Sequence, residues 1–423
     1  MKEDFLHYVW RYALYSQVKL QTTNSEDIQI VKPGLYNKNT GPDFLNSELI
    51  INHQKWVGNV EIHVNASDWY VHQHEKDNNY DAVILHVVWN HDVEVYMKDN
   101  TTLPTLELKR VVDGNVINNY QRLINNSLKW IPCEEDIKHI DKFTINHWLE
   151  SLYFERLEYK TIEIESILET SQNNWEALLF HMLSKNFGLS INGDSFLKLA
   201  QSFNFTIVRK EKCNLKMLSA LFFGQAGFLE EQLEDEYHIA LKKEYIYLKH
   251  KYHLKSLQKK EFQFFRMRPS NFPTVRIAQL VALYASKEHL FSSIMNAKSV
   301  EDYRLLFEIN IDEYWKTHYN FGKPSNRSSK KLTNSFIDLI LINTILPLKF
   351  YYLKTQGKLS EEHLMNLIKE IKPEKNTIIY KFSDLHIKAE NALQTQALIA
   401  LKNNYCAHKR CLECSIGNQL LRS

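Results

Sequence analysis

An α+β protein, with an N-terminal mixed β-sheet region followed by a mostly α-helical one, is predicted by three features of this sequence. Short β-rich runs crowd residues 28–108. From about residue 141 onward the apolar pattern is almost entirely helical. Gly (11) and Pro (9) are scarce, whereas Tyr (22), Phe (22) and Trp (8) abound, which suits long helices and aromatic-filled cores. The 423 residues are about three times a typical domain. Two domains are therefore expected, 1–130 and 131–423, with the boundary where Asn118-Asn119 and Asn125-Asn126 precede Ile131-Pro132-Cys133.

The elements follow from periodicity. Phe5, Val9, Trp10, Leu14 and Tyr15 predict an opening helix over 3–16. Strands are predicted over 28–31, 47–51, 57–64, 82–89, 93–97 and 105–108, separated by turn-prone pieces such as 37–41 and 98–100. Helices are predicted over 143–168, 175–185, 195–203, 214–224, 235–259, 274–286, 332–351, 360–371 and 389–404. They show no fixed repeat.

Composition excludes several classes. Charged residues make up 24% and hydrophobic residues 44%, so the chain is neither disordered nor fibrous. With 52 Lys+Arg against 50 Asp+Glu, any nucleic-acid-binding surface must be local. The most apolar stretch, 336–348, is interrupted by Asp338, Asn343 and Pro347, so no membrane span is expected. The N-terminus lacks the pattern of a signal peptide, and five cysteines do not form a disulfide framework, so a cytoplasmic location is expected.

The sharpest chemical signal lies in GPDFLNSELIINHQKWVGNVEIHV. Asp43 follows Gly41-Pro42 at the edge of a strand, and alternation places Glu61 and His63 on one face of a later strand, opposite Val60, Ile62 and Val64. A hairpin across residues 52–55 would bring Asp43 beside Glu61, a pair of carboxylates able to hold Mg²⁺ or Mn²⁺ through oxygen. Without a ligand the same pair reads as two solvated acids. Downstream, Asp68, His72, His74, Asp77, Asp81 and His86 fall within nineteen residues. Asp68 also reads as a turn or cap residue, His86 as a satisfied strand histidine, and Trp69 and Tyr70 as packing.

These residues resemble the PD-(D/E)XK nuclease superfamily, with Pro42-Asp43 as the first element and Glu61-Ile62-His63 as the second. His63 stands where that superfamily usually has Lys. The resemblance implies a restriction-endonuclease-like N-terminal domain, with the two acids as metal ligands and the third position handling the attacking water. The stretch DWYVHQH is similar to the Trp-and-His signature of very-short-patch repair nucleases, which points to His72 and His74. Through GPDF, GNVEIHV, SDWYVHQH, YDAVILHVVW and the C-terminal cysteines, nearly the whole chain also resembles a bacterial family described only as a domain of unknown function.

Two further motifs lie downstream. Cys406, His408, Cys411 and Cys414 fall within nine residues and match tetrahedral Zn²⁺ ligand types. Alternatively, Cys406, Cys411 and Cys414 have the C-x4-C-x2-C spacing of some iron–sulfur sites, with Cys133 or Cys213 as the fourth ligand. Unliganded reduced thiols are the bland alternative. Between residues 242 and 268 nine Lys/Arg face two Glu among aromatic residues, a pattern suited to phosphates and bases or to pairing with the acidic run 230–236. Lys249, Lys251, Lys255, Arg266, Arg268 and Arg276 are the candidate nucleic-acid contacts.

The expected function is metal-dependent phosphodiester hydrolysis of DNA or RNA. Asp43 and Glu61 would bind the metal, His63 would act on water, and His72 or His74 would assist the leaving group. The alternatives are an inactive nuclease-like scaffold that binds nucleic acid or a protein partner, and a hydrolase of small phosphoesters. A basic groove leading to Asp43 would separate the nuclease from the small-ester hydrolase.

Overall fold

The structure is a computed structural model that describes residues 1–125 and 129–423; Asn126, in the expected boundary stretch, lies outside the described residues. The chain divides into two units. The first comprises Met1–Trp148, Lys381–Ile387 and Ile399–Ser423, and the second comprises Leu149–Tyr380 and Lys388–Leu398. The sequence reading put the C-terminal cysteine segment with the helical domain, but the structure packs it into the first unit. There the helix Ser415–Arg422 buries Ile416, Leu420 and Leu421.

In the first unit α1 (Glu3–Arg11) buries Phe5, Leu6, Val9 and Trp10 and packs on the sheet. It stops short of the expected residue 16, because Ala13 takes a left-handed φ of 50°. The strands are β1 (Ile28–Lys32), β2 (Leu35–Tyr36), β3 (Phe44–Ile51), β4 (Gln54–Asn65), β5 (Val83–Asn90) and β6 (Thr105–Glu107). They form one mixed sheet in the order β1-β3-β4-β5-β6, with β2 paired to β3. The pairs β1–β3, β2–β3 and β3–β4 are antiparallel, and β4–β5 and β5–β6 are parallel.

Three local features aim this sheet. The β3–β4 hairpin turns on Asn52 and His53 alone, at φ 47° and 67°, the double left-handed geometry that matches strand twist. It is tighter than the expected four-residue connection. A bulge at Asn46, φ 55°, shifts the β3 register between Ser47↔Gly58 and Phe44↔Val60 and sets Asp43 next to Glu61. Gly58 lets β5 approach, since a Cβ there would sit 2.4 Å from Ile84 Cγ2 and 2.6 Å from the Ala82 carbonyl oxygen.

Parallel pairing of β4 with β5 requires a crossover. It contains α2 (Asp68–Val71) and two short turns, His74–Lys76 and Asn78–Tyr80. Trp69 is fully buried there among Ala66, Tyr80, Val83, Val88, Val95 and Leu103. Asp68 is the predicted turn residue, with its carboxylate accepting from the Asn65 N–H at 2.9 Å. The run 93–97, expected to be a strand, makes only an isolated bridge between Tyr96 and Thr102, because the chain doubles back through Asn100 at φ 64°.

The second unit is helical, and asparagine or aspartate side chains at positions 174, 204, 214 and 235 cap four of its helices. Several expected helices are modified: 195–203 begins at Leu189, and 389–404 closes in a π-turn at Leu401–Cys406. The 235–259 helix ends at Tyr252, where His253 turns left-handed. The 332–351 helix runs from Asn334 to Thr355 with a π-turn at Leu341–Ile345, just ahead of Pro347, which has no N–H to donate. By length and composition this helix could cross a membrane, but 67% of its apolar window is buried in the protein, the pattern of a core helix.

Candidate metal centre

The site is built from the sheet outward. Glu61 and His63 share a face of β4, and His86 on β5 lies beside them through the Glu61↔His86 register. The crossover then folds His72 and His74 over that face. A ring nitrogen from each of His63, His72 and His74 can be chosen so that all three lie within 4.8 Å of one another. His63 Nε2 is 3.1 Å from His72 Nδ1 and 3.5 Å from Glu61 Oε1, and His74 Nε2 is 3.3 Å from the same Glu61 oxygen. Ligands at about 2.1 Å around a tetrahedral ion are spaced by roughly 3.4 Å. The donor set is therefore of metal-binding size.

Burial shifts His63, His86 and Glu61 toward their neutral forms. His63 is 1% exposed, and its pKa is pushed down to about 2, chiefly by loss of solvent and then by its neighbours His86, His74 and His72. His86 is fully buried, and desolvation takes it to about 3. Both rings are thus neutral, the state in which imidazole binds a metal. His63 Nδ1 lies 2.9 Å from His86 Nε2. With His63 donating in that bond, its Nε2 lone pair faces His72 and Glu61, as in a metal ligand oriented by a hydrogen-bonded neighbour. Glu61 is held above the usual carboxylate range by desolvation, with Asp43 adding repulsion and His74 opposing both.

Asp43 and Glu61 interlock through the backbone. The Asp43 N–H donates to Glu61 Oε2 at 3.1 Å, and the Ile62 N–H donates to Asp43 Oδ2 at 3.0 Å. The same Asp43 oxygen is 3.1 Å from Nε2 of His7 on α1. Burial works to lower the His7 pKa, but the hydrogen bond and charge of Asp43, with Glu3 and Asp4, outweigh it and raise it overall. Behind the ligands, Tyr80 stacks on His74 at 3.7 Å, and Trp69 packs edge-on against it at 5.3 Å.

Sequence reasoning placed Asp43, Glu61, His63, His72 and His74 here, and the structure brings all five together. It missed His7, whose helix reads as merely amphipathic, and it read His86 as a strand histidine without a role. His7 also lines a surface cleft of about 630 Å³ whose walls include Lys2, Arg11, Lys38, Lys409 and Arg410 against Asp4 and Glu413, the last paired with Arg410 at 2.6 Å. Nothing in the sequence joins positions 2–38 to positions 409–410. His408 is exposed and lines this cleft rather than joining the buried thiols of Cys411 and Cys414.

The expected nucleic-acid helix is different in kind. Arg276 is 7% exposed, hydrogen-bonded to Gln279 and Asn271 at 2.9 and 2.7 Å, with its guanidinium 3.7 Å from the centre of the Phe336 ring. It is a core residue, and its inclusion among the contacts is corrected: the apolar helix Pro273–Ser286 carries it inward. Lys249 pairs with Glu230 at 3.8 Å and Lys251 with Glu211 at 3.0 Å, so charge pairing accounts for much of the stripe. Lys255, Arg266 and Arg268 are exposed. Arg276→Ala should therefore act on stability, lowering it by about 2 to 4 kcal/mol in urea unfolding through lost packing and polar groups left unpaired. An unchanged unfolding midpoint would contradict this core role.

Fold and site together define an α+β protein whose mixed sheet carries a histidine–carboxylate cluster, buried at His63 and Glu61 and open to solvent at His72. The chain belongs to the family described as Protein of unknown function (DUF2851), which matches residues 3–377. The match ends before the C-terminal cysteines. No curated protein and no solved structure matches the chain.

Proposed function

We propose that the protein is a metal-dependent phosphodiesterase of nuclease type. The observation that carries this reading is the junction of two features at one residue: His7 lines the basic cleft and contacts Asp43 at 3.1 Å. A cleft with lysines and arginines on its walls suits a phosphate backbone. His63, His72 and His74 hold the ion, and three imidazoles suit Zn²⁺ or Mn²⁺ better than the all-oxygen shell that Mg²⁺ prefers. A divalent ion bound there supplies Lewis-acid polarisation of a phosphoryl oxygen and acidifies water.

The chain's own groups do the rest. Glu61, beside His63 and His74, orients the water and accepts its proton. Asp43 is fixed by the Ile62 N–H and by His7, and His7, drawn toward its protonated form by Asp43, delivers a proton to the leaving oxygen. Lys2, Lys38 and Lys409 hold the flanking phosphates.

The test uses purified full-length protein, Zn²⁺ or Mn²⁺, and fluorescent single- and double-stranded DNA and RNA, with bis(p-nitrophenyl) phosphate as the small ester. Oligonucleotide cleavage that depends on the ion is expected. Lys38→Glu with Lys409→Glu should raise KM and flatten its salt dependence, each lost phosphate contact removing roughly 0.7 to 0.9 from the log–log slope. Lys249→Glu with Lys251→Glu should change neither. Turnover of the small ester alone would refute the nucleic-acid substrate, and no hydrolysis with any ion would refute catalysis.

A further inference from the structure

Four of the five cysteines converge in the first unit although their positions in the sequence do not predict it. Cys133 lies far upstream of Cys406, Cys411 and Cys414, yet the fold brings it within electrostatic range of all three. Cys406 is likewise within range of Cys411 and Cys414, and Cys411 of Cys414. Cys133, Cys411 and Cys414 are 8%, 8% and 7% exposed, and no disulfide joins them. Cys213 is exposed and belongs to the second unit.

A close-packed turn holds the C-terminal cysteines. Cys414 is the N-cap residue of the helix Ser415–Arg422, near the Ile416 and Gly417 N–H groups and the Trp148 indole. A Cβ at Gly417 would sit 2.1 Å from the Cys411 carbonyl oxygen, so only glycine lets the helix close on the Cys411 turn. Spacing then decides the type of site. Among the described residues, only the three histidines gather three donor atoms within 4.8 Å. The thiols are thus more widely spread than the roughly 3.8 Å edges of a four-thiolate zinc site. A cuboidal cluster, with one thiolate on each of four irons, spaces its ligands more widely.

We propose that Cys133, Cys406, Cys411 and Cys414 ligate a four-iron, four-sulfide cluster that clips the C-terminal segment to residue 133. The loop strung between these ligands carries His408, Lys409 and Arg410, so the cluster also fixes one wall of the basic cleft. All four iron positions are closed by protein, which makes the role structural. This assignment is independent of the phosphodiesterase reading, since its readout is metal content and not turnover.

The experiment is anaerobic purification of the full chain followed by iron, acid-labile sulfide and zinc analysis. About four iron and four sulfide per chain are expected, with a brown colour that bleaches on dithionite reduction. Cys133→Ser and Cys411→Ser should each lose most of the iron, whereas Cys213→Ser and His408→Ala should keep it. One zinc without iron, no metal at all, or full iron in Cys133→Ser would each overturn the assignment. Should Cys133→Ser fail to accumulate, the wild-type iron and sulfide content still decides between these outcomes.

Discussion

His63→Ala is expected to abolish ion binding at the histidine cluster and to lower ion-dependent phosphodiester cleavage by at least about 10³-fold, the scale on which single preorganised groups act. The reason is connectivity. His63 is the ring that meets His72 on one nitrogen and His86 on the other, with Glu61 at 3.5 Å. His86→Leu, which removes only the supporting partner, should cost about 10- to 100-fold in metal affinity. His63→Lys should not create activity, because the ammonium would be buried among imidazoles at a position 1% exposed. Isothermal titration with Zn²⁺ and cleavage assays on the same preparations check the series. Full ion affinity in His63→Ala would remove the ring from the site, and a gain of activity in His63→Lys would mean that the site is a lapsed lysine-type nuclease centre.

The second large effect is on the fold. Trp69→Ala should destabilise the protein by about 3 to 5 kcal/mol, the range for emptying a buried aromatic position. Trp69 is fully buried, packs edge-on against His74 at 5.3 Å and Tyr80 at 5.9 Å, and lies 5.5 Å from the His86 ring. Its loss leaves a hole directly behind two members of the cluster, so ion affinity should fall together with stability. Trp69→Phe should recover most of both. Urea unfolding followed by far-UV circular dichroism measures the first and Zn²⁺ titration the second. A shift below about 0.5 kcal/mol would mean that the crossover is not anchored by this residue.

What the sequence determined by itself was local. Alternation in GNVEIHV placed Glu61 and His63 on one strand face, β-branched runs marked five of the six strands of the main sheet, and helical periodicity marked the long helices of the second unit. These signals depend only on neighbours a few residues apart, where sterics and side-chain spacing act directly. The candidate ligands were legible for the same reason, since His and carboxylate density is visible without a fold.

Tertiary structure decided which of those groups meet. Parallel pairing of β4 with β5 brought His86 to His63, α1 delivered His7 to Asp43, and the C-terminal segment returned to Cys133 and to the cleft. Each of these contacts joins residues whose separation carries no periodic signal. The same holds for Arg276, whose place with Arg266 and Arg268 at a helix start suggested a phosphate contact. Its helix Pro273–Ser286 buries both faces, and a guanidinium so placed can be satisfied only by partners inside the protein, here Asn271, Gln279 and the Phe336 ring.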